Sequence, residues 1–169
     1  MIAFFYSGRT EQQTRTWPER IQETYSSKEG EMHVAVYDEL PQETGIGYAY
    51  FPWVSATYRG AVILNGKGFG TNTSDENTSN ILIHLIANIL GLYPLPGEYK
   101  CGDDYVSDTP IHNSPISICT DLTITSTYDN QLYDITNYMS HAPAICKDHF
   151  TLGQWRRMLH ILNYFNQAK

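Results

Sequence analysis

The stretch that most constrains the fold is Ser79–Pro94, which reads SNILIHLIANILGLYP. Apolar residues stand at most positions up to Leu90, so a helix formed here is apolar on almost all of its faces. A helix of this kind has to lie in the interior of a domain. The residues SDE at 74–76 are typical of an N-cap region, and Gly91 is typical of a helix end. We therefore expect a central buried helix over about 78–90.

The same stretch has the length and ending of a zinc-protease helix. In the motif H-E-x-x-H, two histidines at i and i+4 bind zinc from one helix face, and the glutamate is the general base. A longer form adds a glycine, which ends the helix, and a third histidine. In this chain His84 stands at the first ligand position, Leu85 at the base position, Asn88 at the second ligand position and Pro94 at the third. Gly91 is kept.

These substitutions predict that the helix holds no zinc. Zinc sites use three or four nitrogen, sulfur or carboxylate ligands, and an imidazole, an amide and a proline do not supply them. Leu85 cannot take a proton from water, and general base catalysis is worth about 10²–10⁴-fold in rate. We therefore expect no catalytic residue at these positions and no zinc cofactor. A relocated site, such as His84 with His141 and an aspartate, stays open as an alternative, although its spacing matches no ligand pattern.

Short motifs on both sides of the helix follow a particular order. They are Gly47–Pro52 (GYAYFP), Gly91–Tyr93 (GLY), Cys101, Asp104–Pro110 (DYVSDTP), Asn137–Met139 (NYM), Cys146 and Phe150–Met158 (FTLGQWRRM). Over roughly residues 32–158 this order resembles the pappalysin family of metzincin metalloproteinases. With its zinc ligands and base replaced, the chain looks like an inactive member of that family, a pseudoprotease. Such a domain is expected to bind a protein or peptide partner, as a secreted effector, decoy or regulator; the alternative is a metallopeptidase or other hydrolase with a rearranged metal site.

The resemblance also implies roles for residues after the helix. Met139 would be the Met-turn methionine, and Asp104 with Thr109 would match calcium ligands; the alternative is a turn held by side-chain hydrogen bonds. Of the three cysteines, Cys119 and Cys146 would form a disulfide and Cys101 would be left over. The closed loop of about 28 residues would stabilise the fold by about 3–4 kcal/mol in the chain-entropy model. Three reduced, buried thiols are the alternative.

Composition limits the partners and the compartment. The chain has 169 residues, a net charge of −7 and 17% charged residues, which argues against nucleic acid or a membrane as the partner. No apolar run approaches the ~20 residues that span a bilayer. The first residues contain no secretory signal. The resemblance therefore predicts an extracellular protein whose signal peptide is absent from this sequence, and a cytoplasmic protein remains the alternative.

The expected fold is α/β and zincin-like or metzincin-like. It is a single domain over 1–169, with a sheet and helix part over 1–93 and a loop-rich part over 94–169 that ends in a helix. A small twisted mixed sheet is predicted from strands at 2–6, 32–40, 47–53 and 61–64, with a backing helix over 9–26. The strand at 47–53 ends at a proline, which suits a sheet edge that can pair an extended chain. The last helix, 151–167, carries an apolar stripe formed by Trp155, Met158, Leu159, Leu162 and Phe165.

Overall fold

The computed structural model describes residues 2–6, 32–37, 47–53, 61–65, 78–95, 103–111, 119, 123–125 and 130–167. Its elements are β1 (Ile2–Tyr6), β2 (Met32–Tyr37), β3 (Gly47–Ala49), β4 (Ala61–Asn65), α1 (Thr78–Ile89), β5 (Thr123–Thr125), β6 (Leu132–Asp134), a 3-10 turn (Ala144–Cys146) and α2 (Leu152–Gln167). The chain divides into two compact units, Met1–Ile89 and Leu90–Lys169. The backing helix expected over 9–26 lies outside the described residues.

The first unit contains a four-stranded mixed sheet in the order β1-β2-β4-β3. Strands β1, β2 and β4 are parallel, and β3 pairs antiparallel with β4, Tyr48 opposite Ile63. The two central strands carry continuous apolar runs, because strands covered on both faces have no solvent side. The predicted α/β class and mixed sheet are confirmed. Strand β3 is shorter than the expected strand over 47–53, since the chain enters a turn at Pro52, which has no backbone N–H for a sheet ladder.

Helix α1 packs on one face of this sheet. Leu85 and Ile89 join the strand residues Val34, Val36, Val62 and Leu64 in one buried cluster. A Cβ atom at Gly47 would collide with the Ile63 carbonyl and press on Leu85, so a glycine lets β3 lie close to β4 and α1. The predicted helix is therefore present, and Leu85 belongs to the hydrophobic core. The helix is less deeply buried than expected, because Ile81, Leu82, Ile83 and Ile86 are only half-buried.

The second unit is loop-rich and contains a hairpin that the sequence did not predict, in which β5 pairs antiparallel with β6. Its core includes Leu92, Leu95, Ile135 and Met139, each at most 1% exposed. Distant loops are joined by the Leu95 N–H, which donates to the Met139 carbonyl at 2.6 Å. Buried backbone groups in loops need hydrogen-bond partners, so bonds of this kind hold the loops of the second unit together.

Helix α2 buries less of its apolar stripe than the pattern suggests. Met158 is 4% exposed, whereas Trp155, Leu159 and Leu162 are 51%, 55% and 44% exposed. One helical turn before Met158, the buried face of α2 carries the polar residue Gln154, whose side chain is fully buried. The helix is therefore held in the second unit partly by polar contacts, and a row of large apolar side chains stays at the surface.

Candidate active site

The four positions of the protease-helix motif lie in different surroundings. His84 and Pro94 are half-buried, Leu85 is 6% exposed and Asn88 is 7% exposed. His84 and Asn88 are one helical turn apart and so lie on the same face of α1. Leu85 instead packs against the strands. The base position therefore contributes a core side chain to the first unit.

The donor set on α1 does not fit zinc. His84 supplies one imidazole, Asn88 supplies a neutral amide and Pro94 has no side-chain donor atom. The Oδ1 atom of Asn88 is buried and has no hydrogen-bond partner in the described part of the chain. Leaving such an acceptor unpaired costs about 1–3 kcal/mol. Within the described residues, no group of three or more His, Cys, Asp or Glu side chains is placed to hold a metal ion.

The turn after α1 is fixed by an arginine from α2. Gly91 has a φ of 84°, a left-handed backbone that a glycine adopts without strain. Arg157 donates from Nε to the Gly91 carbonyl at 2.7 Å and from a terminal nitrogen to the Tyr105 carbonyl at 3.1 Å. Its guanidinium also lies over the Tyr93 ring, 5.6 Å from the centroid. The sequence patterns predict no role for Arg157 beyond its place in the FTLGQWRRM motif.

The predicted Met-turn is built on a buried amide pair. Met139 is fully buried and Asn137 is 2% exposed. The Asn137 Oδ1 atom accepts hydrogen bonds from the Met139 N–H at 2.8 Å and from Gln154 Nε2 at 3.2 Å. Its Nδ2 atom donates to Gln154 Oε1 at 2.7 Å. Every polar atom of the Asn137 side chain is thus engaged, which fixes the Met-turn to the first turn of α2.

The start of α2 is a reciprocal cap. Thr151 Oγ1 accepts from the Gln154 N–H at 3.2 Å, and Gln154 Oε1 accepts from the Thr151 N–H at 2.9 Å. This arrangement is a capping box, in which a threonine and the residue three positions later pair with each other's backbone. Asp108 adds a second contact, since it accepts from Thr151 Oγ1 at 2.7 Å and from the Gly153 N–H at 2.8 Å. A carboxylate here also favours the positive end of the helix dipole.

The Asp104 loop contains buried oxygen atoms close together. Asp104 is 2% exposed, and Thr109 Oγ1 lies 2.6 Å from its Oδ1 atom and 2.7 Å from the Val106 carbonyl. Burial raises the pKa of Asp104 to about 6, against the opposing effect of hydrogen bonds from Thr109 and the Val106 N–H. These oxygens are of the type that binds calcium. The same contacts also form the hydrogen-bonded turn of the alternative interpretation, so calcium at Asp104 and Thr109 stays a prediction.

The disulfide implied by the family resemblance is present. Cys119 and Cys146 are bonded, with their Cα atoms 5.8 Å apart and a sequence separation of 27 residues. The next residue, Lys147, is half-buried, and this desolvation lowers its pKa to about 8. Burial and the nearby Lys147 charge lower the pKa of His141. Cys101 lies outside the described residues.

Comparison with known proteins identifies the family. Residues 19–163 match the peptidase family M43, described as pregnancy-associated plasma protein-A. The chain belongs to the pappalysin family. An extracellular metalloprotease of Colletotrichum graminicola is 36% identical over 129 residues, which are 70% of this chain and 46% of that protein. One of Neurospora crassa is 34% identical over 132 residues, which are 73% of this chain and 45% of that protein. The chain thus spans less than half the length of these relatives.

Solved structures support the predicted metzincin-like fold. Mature mirolysin of Tannerella forsythia, in complex with a cleaved peptide, superposes with a TM-score of 0.64 and 26% identity over 76% of this chain and 50% of that one. A promirolysin mutant from the same organism superposes with a TM-score of 0.66 and 24% identity, over 81% of this chain and 47% of that one. The second likeness concerns the fold alone.

The expectation that this chain is not an enzyme is wrong. Relatives at 36% and 33% identity are named extracellular metalloproteases, and they point to a protease. The expectation rested on the substitutions at the motif positions alone, and the names of the relatives contradict it.

Within the described residues, no helix combines the length and apolar character needed to cross a membrane.

Proposed function

We propose that this chain is the peptidase portion of an extracellular metalloprotease, which hydrolyses peptide bonds at a metal site whose ligands differ from the family set. The observation that carries the proposal is the family match over residues 19–163, together with relatives named extracellular metalloproteases. The retained Gly91 turn and the buried Met139 turn support it, because they are the scaffold on which the family builds its site.

Helix α1 has a limited part in this proposal. The family zinc set does not fit His84, Asn88 and Pro94, so no step is assigned to a metal ion on this helix. The side chains that α1 does supply are one imidazole and one buried amide oxygen. Such groups bind and orient a hydrogen-bond donor, but the amide cannot take a proton from water.

The proposed substrate is an extended protein or peptide chain. Strand β3 is the last strand of the sheet in its described part, with β4 on its inner side. An extended peptide pairs with such an edge through main-chain hydrogen bonds, and this pairing is largely independent of peptide sequence. Edge pairing therefore supports a substrate class of unfolded or extended polypeptides.

The test measures metal content and cleavage on the same preparation. Purified protein is dialysed against trace zinc, and its metal is quantified by elemental mass spectrometry. Unfolded casein and gelatin are then incubated with it, with and without 1,10-phenanthroline. We expect stoichiometric metal and cleavage that the chelator abolishes and added zinc restores. A metal-free protein that leaves both substrates intact would overturn the proposal.

Two variants locate the metal relative to α1. In His84→Ala, loss of metal and cleavage would put the one retained imidazole in the rearranged site, and retention of both would put the ligands elsewhere. The double variant Asn88→His with Pro94→His rebuilds the three-histidine set and leaves Leu85 in the core. If the native ligands lie elsewhere, this variant binds one additional zinc ion per chain.

A further inference from the structure

A row of large apolar side chains lies exposed along α2. Leu152, Trp155, Leu159 and Leu162 are 61%, 51%, 55% and 44% exposed. They follow one another at intervals of three or four residues, so they form a single stripe along the helix. We call these four residues the α2 stripe. Single exposed apolar residues are ordinary at a protein surface, whereas a contiguous row of this kind marks an interaction site.

The charge on the same helix is unlike that of the chain as a whole. The sequence has a net charge of −7, but residues 152–167 contain two arginines, one histidine and no acidic residue. Arg157 is used inside the second unit, where it binds two carbonyl groups. Arg156 and His160 are exposed. At about 100° per residue, Arg156 lies beside the α2 stripe, on the border away from the buried Met158, and His160 lies further round the helix.

The apolar row and the positive charge beside it together indicate which kind of partner could cover the α2 stripe. In a second copy, α2 would bring the same Arg156 and no carboxylate of its own, so like charges would meet. A partner with carboxylates next to an apolar row would match both the apolar residues and the cationic border. An amphipathic helix presents such a row through residues at i, i+3, i+4 and i+7.

We propose that the α2 stripe, with Arg156 along its border, docks an amphipathic helical segment of another protein whose apolar row is bordered by carboxylates. The apolar contacts supply the attraction, and Arg156 sets the orientation through the charge pairing. The test below measures binding with a chelator present and includes no hydrolysis step, so its outcome does not depend on the proposed peptidase activity.

The test uses a pair of synthetic amphipathic peptides of about 18 residues, or five helical turns. Both carry the same leucine row, bordered by glutamates in one and by lysines in the other. Binding is measured by fluorescence anisotropy with a chelator present, and mass spectrometry verifies that the peptides stay intact. We expect the glutamate peptide to bind at least about tenfold more tightly, and the difference to shrink as salt is raised.

Three variants locate the binding surface. Leu159→Asp is expected to weaken binding of the glutamate peptide about tenfold or more. The matched control is Leu132→Asp, which changes a leucine that is 67% exposed on β6, and it should leave binding unchanged. Arg156→Glu should reverse the preference, so that the lysine peptide binds more tightly. Circular dichroism establishes that each variant is folded.

Several results would overturn the proposal. Equal binding of the two peptides, binding of neither, or an equal loss in Leu132→Asp would each do so. Concentration-dependent dimers that Leu159→Asp abolishes, seen by analytical ultracentrifugation, would assign the stripe to a second copy. Binding to phosphatidylserine vesicles that depends on Leu159, without a preference between the peptides, would assign it to a lipid surface.

Discussion

Two buried asparagines, one in each unit, have opposite surroundings. Asn137 in the second unit is 2% exposed and engages Gln154 and the Met139 N–H through both of its side-chain polar atoms. Asn88 on α1 is 7% exposed, and its Oδ1 atom has no hydrogen-bond partner among the described residues. A buried amide stabilises a fold only when it is paired. The contrast teaches that the Met-turn network holds the structure, whereas the second ligand position of α1 is a site that costs stability.

The largest effect is expected for Asn137→Ala. This change leaves the buried Nε2 group of Gln154 and the Met139 N–H without their partners, and each such group costs about 1–3 kcal/mol. We expect a loss of about 3–5 kcal/mol in the free energy of unfolding, measured by urea denaturation. A loss below about 1 kcal/mol would mean that water or neighbouring groups replace the network.

Gly153→Ala tests how much the cap at the start of α2 contributes to stability. A Cβ atom there would collide with the Asp108 carboxylate and press on the Val106 side chain. The change should destabilise the protein by about 2–3 kcal/mol, because it overpacks the site and displaces the capping carboxylate. Thermal denaturation of the wild type, Gly153→Ala and Asp108→Asn compares the steric effect with loss of the charge alone. An unaltered melting temperature in Gly153→Ala would contradict the cap geometry.

Lys147→Met tests a buried charge near the disulfide. Burial lowers the pKa of Lys147 from 10.5 to about 8, so between these values the unfolded chain binds a proton that the folded chain does not. The stability of the wild type should therefore gain a contribution as the pH rises from about 8 to 10.5. Lys147→Met should remove this contribution and stabilise the protein at pH 7 by about 1–2 kcal/mol. Parallel pH dependences of wild type and variant would refute the buried charge.

Asp104→Asn separates calcium from a simple turn. Without metal, the raised pKa means that ionised Asp104 costs stability above about pH 6, and the contribution present near pH 4 is lost as the pH rises between these values. In the chelator EGTA at pH 7.5, the variant should equal or exceed the wild type by about 1 kcal/mol. In millimolar calcium, the wild type should become the more stable if Asp104 is a ligand. No response of the wild type to calcium would make the calcium prediction wrong.

The smallest effect is expected for Asn88→Leu. Replacing a buried amide whose oxygen is unpaired by an apolar side chain of similar size removes the desolvation cost of that oxygen, so we expect a gain of about 0–1 kcal/mol. Urea denaturation beside Asn137→Ala gives the direct comparison. A loss as large as that of Asn137→Ala would show that Asn88 is paired, and the contrast between the two asparagines would fall.

Much of the fold could be predicted from local patterns. Hydrophobic periodicity and residues with fixed conformational preferences predict helix α1 and its end before Gly91. They also predict the cap at Thr151 and the mixed sheet. The hairpin of β5 and β6 was not predicted, because three-residue strands leave too short a pattern. The prediction of no enzymatic activity rested on the substitutions in one helix, and the relatives named extracellular metalloproteases contradict it.

The sequence by itself determined the family and which side chains stand at the motif positions of α1. Only the tertiary structure decided that Leu85 is a core residue, that Arg157 holds the Gly91 turn, and that Asp108 caps a helix 43 residues further along the chain. It also decided that most of the α2 stripe stays exposed. The physical reason is that periodicity tells which residues share a face, whereas burial and pairing depend on contacts between distant segments.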